Sequence, residues 1–363
     1  MPSPTGSAPR STTSPETGPA GWRDAFDADP GYLDTATMGV PPRVAADAVD
    51  ATVAGWRRGR LEAAAFDEYV TRARIAWARL CGVTPGDVAV GSTVSAFVGL
   101  VAAALPDGAT VLVAAGDFTS VLFPLLAQQG RDVRVREVPL GELIAAVGDG
   151  IDLVAVSAVQ SADGRVIDVD ALRQAAGAHG VRVLLDITQA AGWLPLDVSS
   201  IDYVVCSGYK WLLAPRGVAF LAVRPDRRDS LIPHSAGWYA GADVWASIYG
   251  SPLRLAADAR RFDISPAWFC WVGAAYSLEL LAGIGVDAIH AHDRALADAF
   301  RQGLGLPPGD SAIVSLALSG EQASRLRRIA RLASRAGRAR ASFHLYNDLD
   351  DVQRAVAALT GSA

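Results

Sequence analysis

The middle of the chain repeats one hydrophobic rhythm. Short, nearly continuous apolar runs alternate with longer stretches of helical periodicity. Asp87–Val90, Thr110–Ala114, Val133–Val138, Leu153–Ser157, Val181–Asp186, Tyr203–Cys206 and Val218–Val223 predict strands. Gly91-Ser92-Thr93 through Leu105, then Phe118–Gln128 and Asp168–His179, predict helices between them. Strands that are apolar on both faces and separated by helices predict an α/β domain with a mostly parallel, seven-stranded sheet. In such sheets chemistry gathers at the carboxyl ends of the strands.

After about residue 250 the rhythm changes. Ala267–Ala282 and Val286–Gly303 predict long helices. Ala312–Leu318 predicts a strand, Gln322–Ala336 a helix, Arg338–His344 a strand and Asp348–Leu359 a last helix opening on acidic residues. The expected organisation is a tail over residues 1–20, an N-terminal segment over 21–60, a large domain over 61–250 and a small α+β domain over 251–363. The tail is rich in Ser, Pro, Thr and Gly and lacks an apolar signal core, so it predicts disorder.

Composition narrows the function classes. The formal net charge is −5, and the basic residues form no stripe of the kind nucleic acid requires. The one basic run, Arg325 to Arg340, predicts the solvated face of a helix. Apolar stretches such as Val94–Leu105 are too short and too interrupted to span a bilayer, so no membrane partner is expected. Cys81, Cys206 and Cys270 sit far apart in apolar surroundings with no CxxC spacing. That pattern predicts reduced thiols in a cytoplasmic protein, with neither a metal site nor a disulfide framework.

The candidate chemistry lies in Val181–Val223. The strand VRVLLD ends on Asp186, and a lysine, Lys210, follows the next short strand 24 residues later. A carboxylate at the end of a buried strand is costly unless a cation or hydrogen-bond donors meet it. The spacing brings both side chains to one edge of the sheet. Pyridoxal 5′-phosphate (PLP) needs this pairing: a lysine to hold it and an acid to keep its pyridine nitrogen protonated. Taken singly, Asp186 also reads as a helix N-cap and Lys210 as a surface charge. A dinucleotide enzyme would share the parallel sheet, but Gly91-Ser92-Thr93 does not supply G-x-G-x-x-G.

These runs resemble the class V aminotransferase family, which includes cysteine desulfurases, kynureninases and isopenicillin-N-epimerase-like proteins. The matching runs are D-I-T-Q-A-A-G-W from Asp186 and S-G-Y-K-W-L-L-A-P-R-G from Ser207. Y-L-D-T-A-T-M-G from Tyr32, G-S-T from Gly91, D-F-T-S-V-L-F-P from Asp117 and R-A-S-F-H-L-Y-N from Arg340 extend the match in order over residues 31–360. The resemblance implies PLP-dependent transferase fold type I, the aspartate-aminotransferase-like fold. It implies Lys210 as the Schiff-base lysine, Asp186 as the partner of the pyridine nitrogen, and Gln189 and Ser161 near the ring hydroxyl. It implies Ser92, Thr93, Ser207 and Tyr209 around the phosphate, and Phe118 stacked on the ring. Ser265 matches a residue that reaches the phosphate across a homodimer interface. Arg340 matches the clamp for the substrate α-carboxylate, with the Thr37–Gly39 stretch, Gly39 included, beside the substrate.

The implied activity is transamination of an amino acid. The alternatives are β-elimination from a cysteine conjugate, kynureninase-like cleavage, epimerisation, or a PLP-binding sensor without turnover. The chain departs from cysteine desulfurases in one respect: L-A-S-R-A-G-R-A-R, before the arginine strand, contains no cysteine, so no persulfide-forming thiol is expected. The aromatic stretch Gly237–Gly250, with Trp238, Tyr239 and Tyr249, reads either as a substrate pocket or as lid and dimer packing.

Overall fold

The computed structural model describes residues 19–361, with side chains from residue 21. The expectation for residues 1–20 therefore lies almost wholly outside the described residues. The chain opens with a short turn of helix, α1 (Pro19–Trp22), then α2 (Arg43–Trp56) and α3 (Phe66–Cys81). The sheet region follows as β1 (Val88–Gly91), α4 (Val94–Ala103), β2 (Thr110–Ala114), α5 (Thr119–Leu126), β3 (Arg134–Val138), β4 (Leu153–Ser157), α6 (Val169–His179), β5 (Arg182–Asp186), β6 (Tyr203–Ser207) and β7 (Ala219–Val223). The C-terminal part adds α7 (Trp268–Ile284), α8 (Val286–Gly303), β8 (Ile313–Leu316), α9 (Gly320–Arg327), β9 (Ala333–Arg335), β10 (Arg338–Ser342) and α10 (Leu349–Thr360).

Seven strands form one sheet in the order β1-β7-β6-β5-β4-β2-β3. All pairs from β3 to β6 are parallel, and β7 runs antiparallel to both its neighbours. The register puts Asp186 opposite Ser157 on one side and Val205 on the other. The carboxyl ends of β4, β5 and β6 therefore form one ledge. β1, β2, β4, β5, β6 and β7 are almost wholly buried, as strands covered on both faces must be. One apolar cluster packs under α3, α6 and α7, and a second fills the α4–α5 side.

A separate three-stranded antiparallel sheet, β8-β10-β9, is backed by α8, α9 and α10 around its own core of Leu296, Phe300, Phe343 and Val352. The N-terminal stretch joins this sheet. Tyr32 bridges Arg331, and Asp34 bridges Ser342 beside β10. Ala36 N donates to Ser342 Oγ at 2.9 Å. α7 packs along α2 and α3.

One predicted element is corrected. The expected helix over Gln322–Ala336 stops at Arg327, and Ala333–Arg335 is a strand. The end of the helix is pinned because Arg325 donates to Ala358 O and Leu359 O of α10. Beyond it the backbone of Arg331 is taken by Gly31 and Leu33, and 333–335 pairs with β10. Pairing to distant chain outweighs local helical preference here. The arginine run is accordingly no single helix face: it continues from a helix through a loop into a hairpin. No single helix among the described residues is long and apolar enough to cross a membrane.

Candidate active site

A small cleft opens at the ledge formed by β4, β5 and β6. Phe118, Ser161, Asp186, Gln189, Ser207, Tyr209 and Lys210 all line it, together with Val94, Ser157 and Thr188. Predicted residues from Phe118 to Lys210, far apart in sequence, thus share one wall. Lys210 is carried by the turn after β6 and is 5% exposed. Its Nζ stands 5.2 Å from the centre of the Phe118 ring and 5.7 Å from that of Tyr209. Burial lowers its amine to about 8; the charge of Asp186 opposes this shift, while Arg340 and Arg335 add to it.

Asp186 closes β5 and is 4% exposed. Oδ1 accepts from the Thr188 amide at 2.8 Å. Burial pushes its carboxyl up to about 6, against the hydrogen bonds from Thr188 and with added repulsion from Asp117. Gln189 is fully engaged. Its Nε2 donates to Ala36 O and to Ser161 Oγ, both at 3.0 Å, and its Oε1 accepts from Trp211 Nε1 at 2.8 Å.

Arg340 lies on β10 and is wholly enclosed. Nη1 donates to the carbonyl and hydroxyl oxygens of Ser161, and Nη2 donates to Thr37 Oγ1 at 2.7 Å. Asp34 Oδ1 is 4.0 Å away, and Arg340 Nε has no partner among the described residues. Ser161 therefore touches both the Gln189 amide and the Arg340 guanidinium. Gly39 sits against the lysine turn: its amide donates to Tyr209 O at 2.9 Å, and a Cβ there would lie 2.1 Å from Lys210 O. Its position is set by close backbone approach.

Arg340 and Gly39 reach the site from behind the cleft lining, and three further predicted residues, Ser92, Thr93 and Ser265, also lie outside it. Ser92 and Thr93 form the bend between β1 and α4, beside Val94. Thr93 caps α4, accepting from Ala96 N at 3.4 Å. Ser265 is exposed on the segment before α7. In the aromatic stretch, Tyr239 and Trp245 are tied to Asp67 of α3 at 3.0 and 2.7 Å, and Trp238 packs on both. Tyr249 is exposed.

Sequence reasoning missed Asp117. This buried acid holds the Ser157 amide and hydroxyl at 2.7 and 2.6 Å and the Phe118 amide at 2.6 Å. It thereby fastens the turn carrying Phe118 to the end of β4. A lone acid between an apolar strand and an apolar helix was the available signal. Of the three cysteines, Cys81 and Cys206 are buried with thiols pushed well up by desolvation, and none of the three lines the cleft.

The sequence profile described as aminotransferase class-V matches residues 63–323. A relative, isopenicillin N epimerase of Streptomyces clavuligerus, is 31% identical over 66% of this chain; the match spans only 65% of that protein's length. An uncharacterized aminotransferase, YcbU, of Bacillus subtilis is 29% identical over 78% of this chain and 81% of its own. Among solved structures, a C-DES mutant with glycine covalently linked to its PLP cofactor superposes with a TM-score of 0.83 at 21% identity, covering 93% of this chain and 98% of that one. The chain belongs to the class V aminotransferase family, a family of PLP-dependent enzymes.

The residues present fit that cofactor. A buried acid whose carboxyl is raised by desolvation gains by meeting a cation, and a protonated pyridine nitrogen is one. A buried amine lowered to about 8 is available to an aldehyde near neutral pH. Small hydroxyls and the amino end of α4 suit a phosphate.

Proposed function

We propose that this chain is a PLP-dependent aminotransferase that acts on an amino acid through Lys210. One observation carries the reading: Lys210 and Asp186 lie in a single cleft, with the Phe118 ring facing the amine at 5.2 Å. Lys210 would hold the aldehyde carbon of the cofactor and Asp186 its pyridine nitrogen. Phe118 would cover one ring face, Gln189 and Ser161 would meet the ring hydroxyl, and Ser92, Thr93, Ser207 and Tyr209 would surround the phosphate. Bound there, PLP supplies an electron sink for the pair left when Cα loses its proton.

Every other task falls to the chain's own groups. Arg340 orients the substrate by its α-carboxylate, through a planar fork that matches a carboxylate bidentately. Lys210 Nζ would be the base that takes and returns the Cα proton of the substrate. Asp186 maintains the charge that makes Cα acidic. Cys81 and Cys206 are buried, with thiols raised by desolvation, and Cys270 is half-buried outside the cleft, so none offers it a sulfur-accepting thiol. Ser265, exposed and outside the cleft of its own chain, would complete the phosphate site of a second copy, which makes the functional unit a homodimer.

The test mixes holoenzyme with an amino-acid and cysteine-conjugate panel, without an acceptor. Stoichiometric oxo-acid formation, with the cofactor left in its amine form, supports aminotransfer. Catalytic release of pyruvate, ammonia and thiol would instead make the protein a β-eliminating lyase. Borohydride followed by peptide mapping must find the label on Lys210.

A further inference from the structure

The hairpin that carries Arg340 holds a second guanidinium that α-carboxylate binding does not use. β9 and β10 are joined by Ala336 and Gly337 alone, at φ +48° and +74°. Both are positive, as a tight two-residue hairpin requires, and Ala336 accepts this without being glycine. The turn sets Arg335 directly opposite Arg338. Arg340 follows two residues on, along the same face. Three like charges on one sheet face repel one another, an arrangement that needs a compensating partner.

Arg338 turns away to β8, where Nε donates to Ser315 Oγ at 2.9 Å. Arg335 turns to the N-terminal stretch, where its Nη2 donates to Thr37 Oγ1 at 3.2 Å. This is the hydroxyl that receives Arg340 Nη2 at 2.7 Å, so the two nitrogens are at most about 6 Å apart. Among the described residues Arg335 bonds only neutral oxygens, those of Thr37 and of the Ser334 carbonyl. Asp34 lies 4.0 Å from Arg340 and also feels the charge of Arg335, a single carboxylate shared between two guanidiniums. Arg340 is enclosed, whereas Arg335 is exposed to solvent, yet close enough for its charge to act on Lys210. Arg216, 5.3 Å from the centre of the Tyr209 ring, adds a third cation to the same end.

The geometry points to a second anion subsite: Arg335 receives a carboxylate in the substrate side chain, so the substrate is a short dicarboxylic amino acid. This rests on the reading of Arg340 as the α-carboxylate clamp. With Arg340 matched by the α-carboxylate, Arg335 remains a charged fork within one short side chain's reach. The small separation of the two guanidiniums favours an aspartate- or glutamate-sized molecule over a long one.

The experiment compares isosteric pairs on the holoenzyme: aspartate with asparagine, and glutamate with glutamine. The acid is expected to exceed its amide at least tenfold in kcat/KM. Arg335→Gln should bring the ratio to within about threefold, mainly by raising KM for the acid. Arg338→Gln, whose side chain is tied to Ser315, should keep the wild-type ratio. A readout without turnover follows the cofactor absorbance during titration with succinate or propionate. Succinate should bind at least tenfold more tightly, and Arg335→Gln should erase the difference. Equal rates for acid and amide, or a preference that survives Arg335→Gln, would overturn the subsite while leaving the aminotransferase reading intact. Loss of that broader reading shows differently, as absence of the cofactor label on Lys210.

Discussion

The imidazole of His344 donates from Nε2 to the carbonyl oxygen of Trp211 at 3.0 Å. A carbonyl only accepts, so Nε2 carries a proton in this arrangement. The other ring nitrogen meets Asp293 Oδ2 at 2.8 Å, and both side chains are completely buried. Trp211 follows Lys210 directly, and its indole donates to Gln189. The end of β10 and helix α8 therefore hold the lysine turn from behind. His344→Ala would leave the Trp211 carbonyl and the Asp293 carboxylate without their partner and open a cavity. The expected cost is about 3 kcal/mol. Thermal denaturation should show it as a lower Tm, together with faster loss of cofactor on dialysis. Wild-type retention of the cofactor would mean the turn is held by other contacts.

Cofactor capture should depend on pH through Lys210. Burial lowers the amine to about 8, so the neutral fraction that attacks an aldehyde shrinks as the pH falls below that value. The rate of PLP uptake by cofactor-free protein should rise with pH, with a midpoint near 8. Asp186 favours the charged amine, so Asp186→Asn should move the midpoint down. Rapid-mixing absorbance measures both, and a midpoint close to an ordinary lysine's would remove burial as the cause.

Replacing Asp186 should also slow turnover in the loaded enzyme. Asp186→Ala removes the carboxylate that closes β5 and would meet the pyridine nitrogen. A fall in kcat of roughly 100-fold or more is expected, corresponding to about 3 kcal/mol of barrier. Steady-state rates near wild type would sink the electronic role.

Gly39→Ala tests the close approach beneath the lysine. The added Cβ would fall 2.1 Å from Lys210 O and 2.6 Å from Leu213 Cδ2. The first of these is backbone, so the turn itself must move, at a cost of about 1–3 kcal/mol. Both Tm and cofactor affinity should drop, and an unchanged absorbance titration would show that the turn tolerates the shift.

Arg340→Lys keeps the charge and loses the fork. KM for the amino acid should rise about tenfold or more while kcat changes less. A loss confined to kcat would assign Arg340 to something other than substrate binding.

The meeting of Asp186 and Lys210 was legible in the chain because one closes a short apolar strand and the other follows the next. β5 and β6 are adjacent and parallel, so Asp186 and Lys210 reach one ledge by local rules alone. Phe118 and Ser207 follow by the same logic. The arginine hairpin was hidden. Periodicity over 322–336 suggests a helix, and only pairing with β10 and contacts from α10 and the N-terminal stretch break it. The Ala-Gly pair at 336–337 was the turn signal.

Local sequence determined the seven-stranded sheet, the lysine and its acid, since strand periodicity and strand ends are short-range properties. Tertiary structure alone decided that Thr37, Ser161 and Arg340 share hydrogen bonds, that Asp117 fastens the Phe118 turn, and that His344 and Asp293 brace Trp211. Those contacts join segments far apart in the chain, through polar groups that are stable in the interior only when each finds its partner.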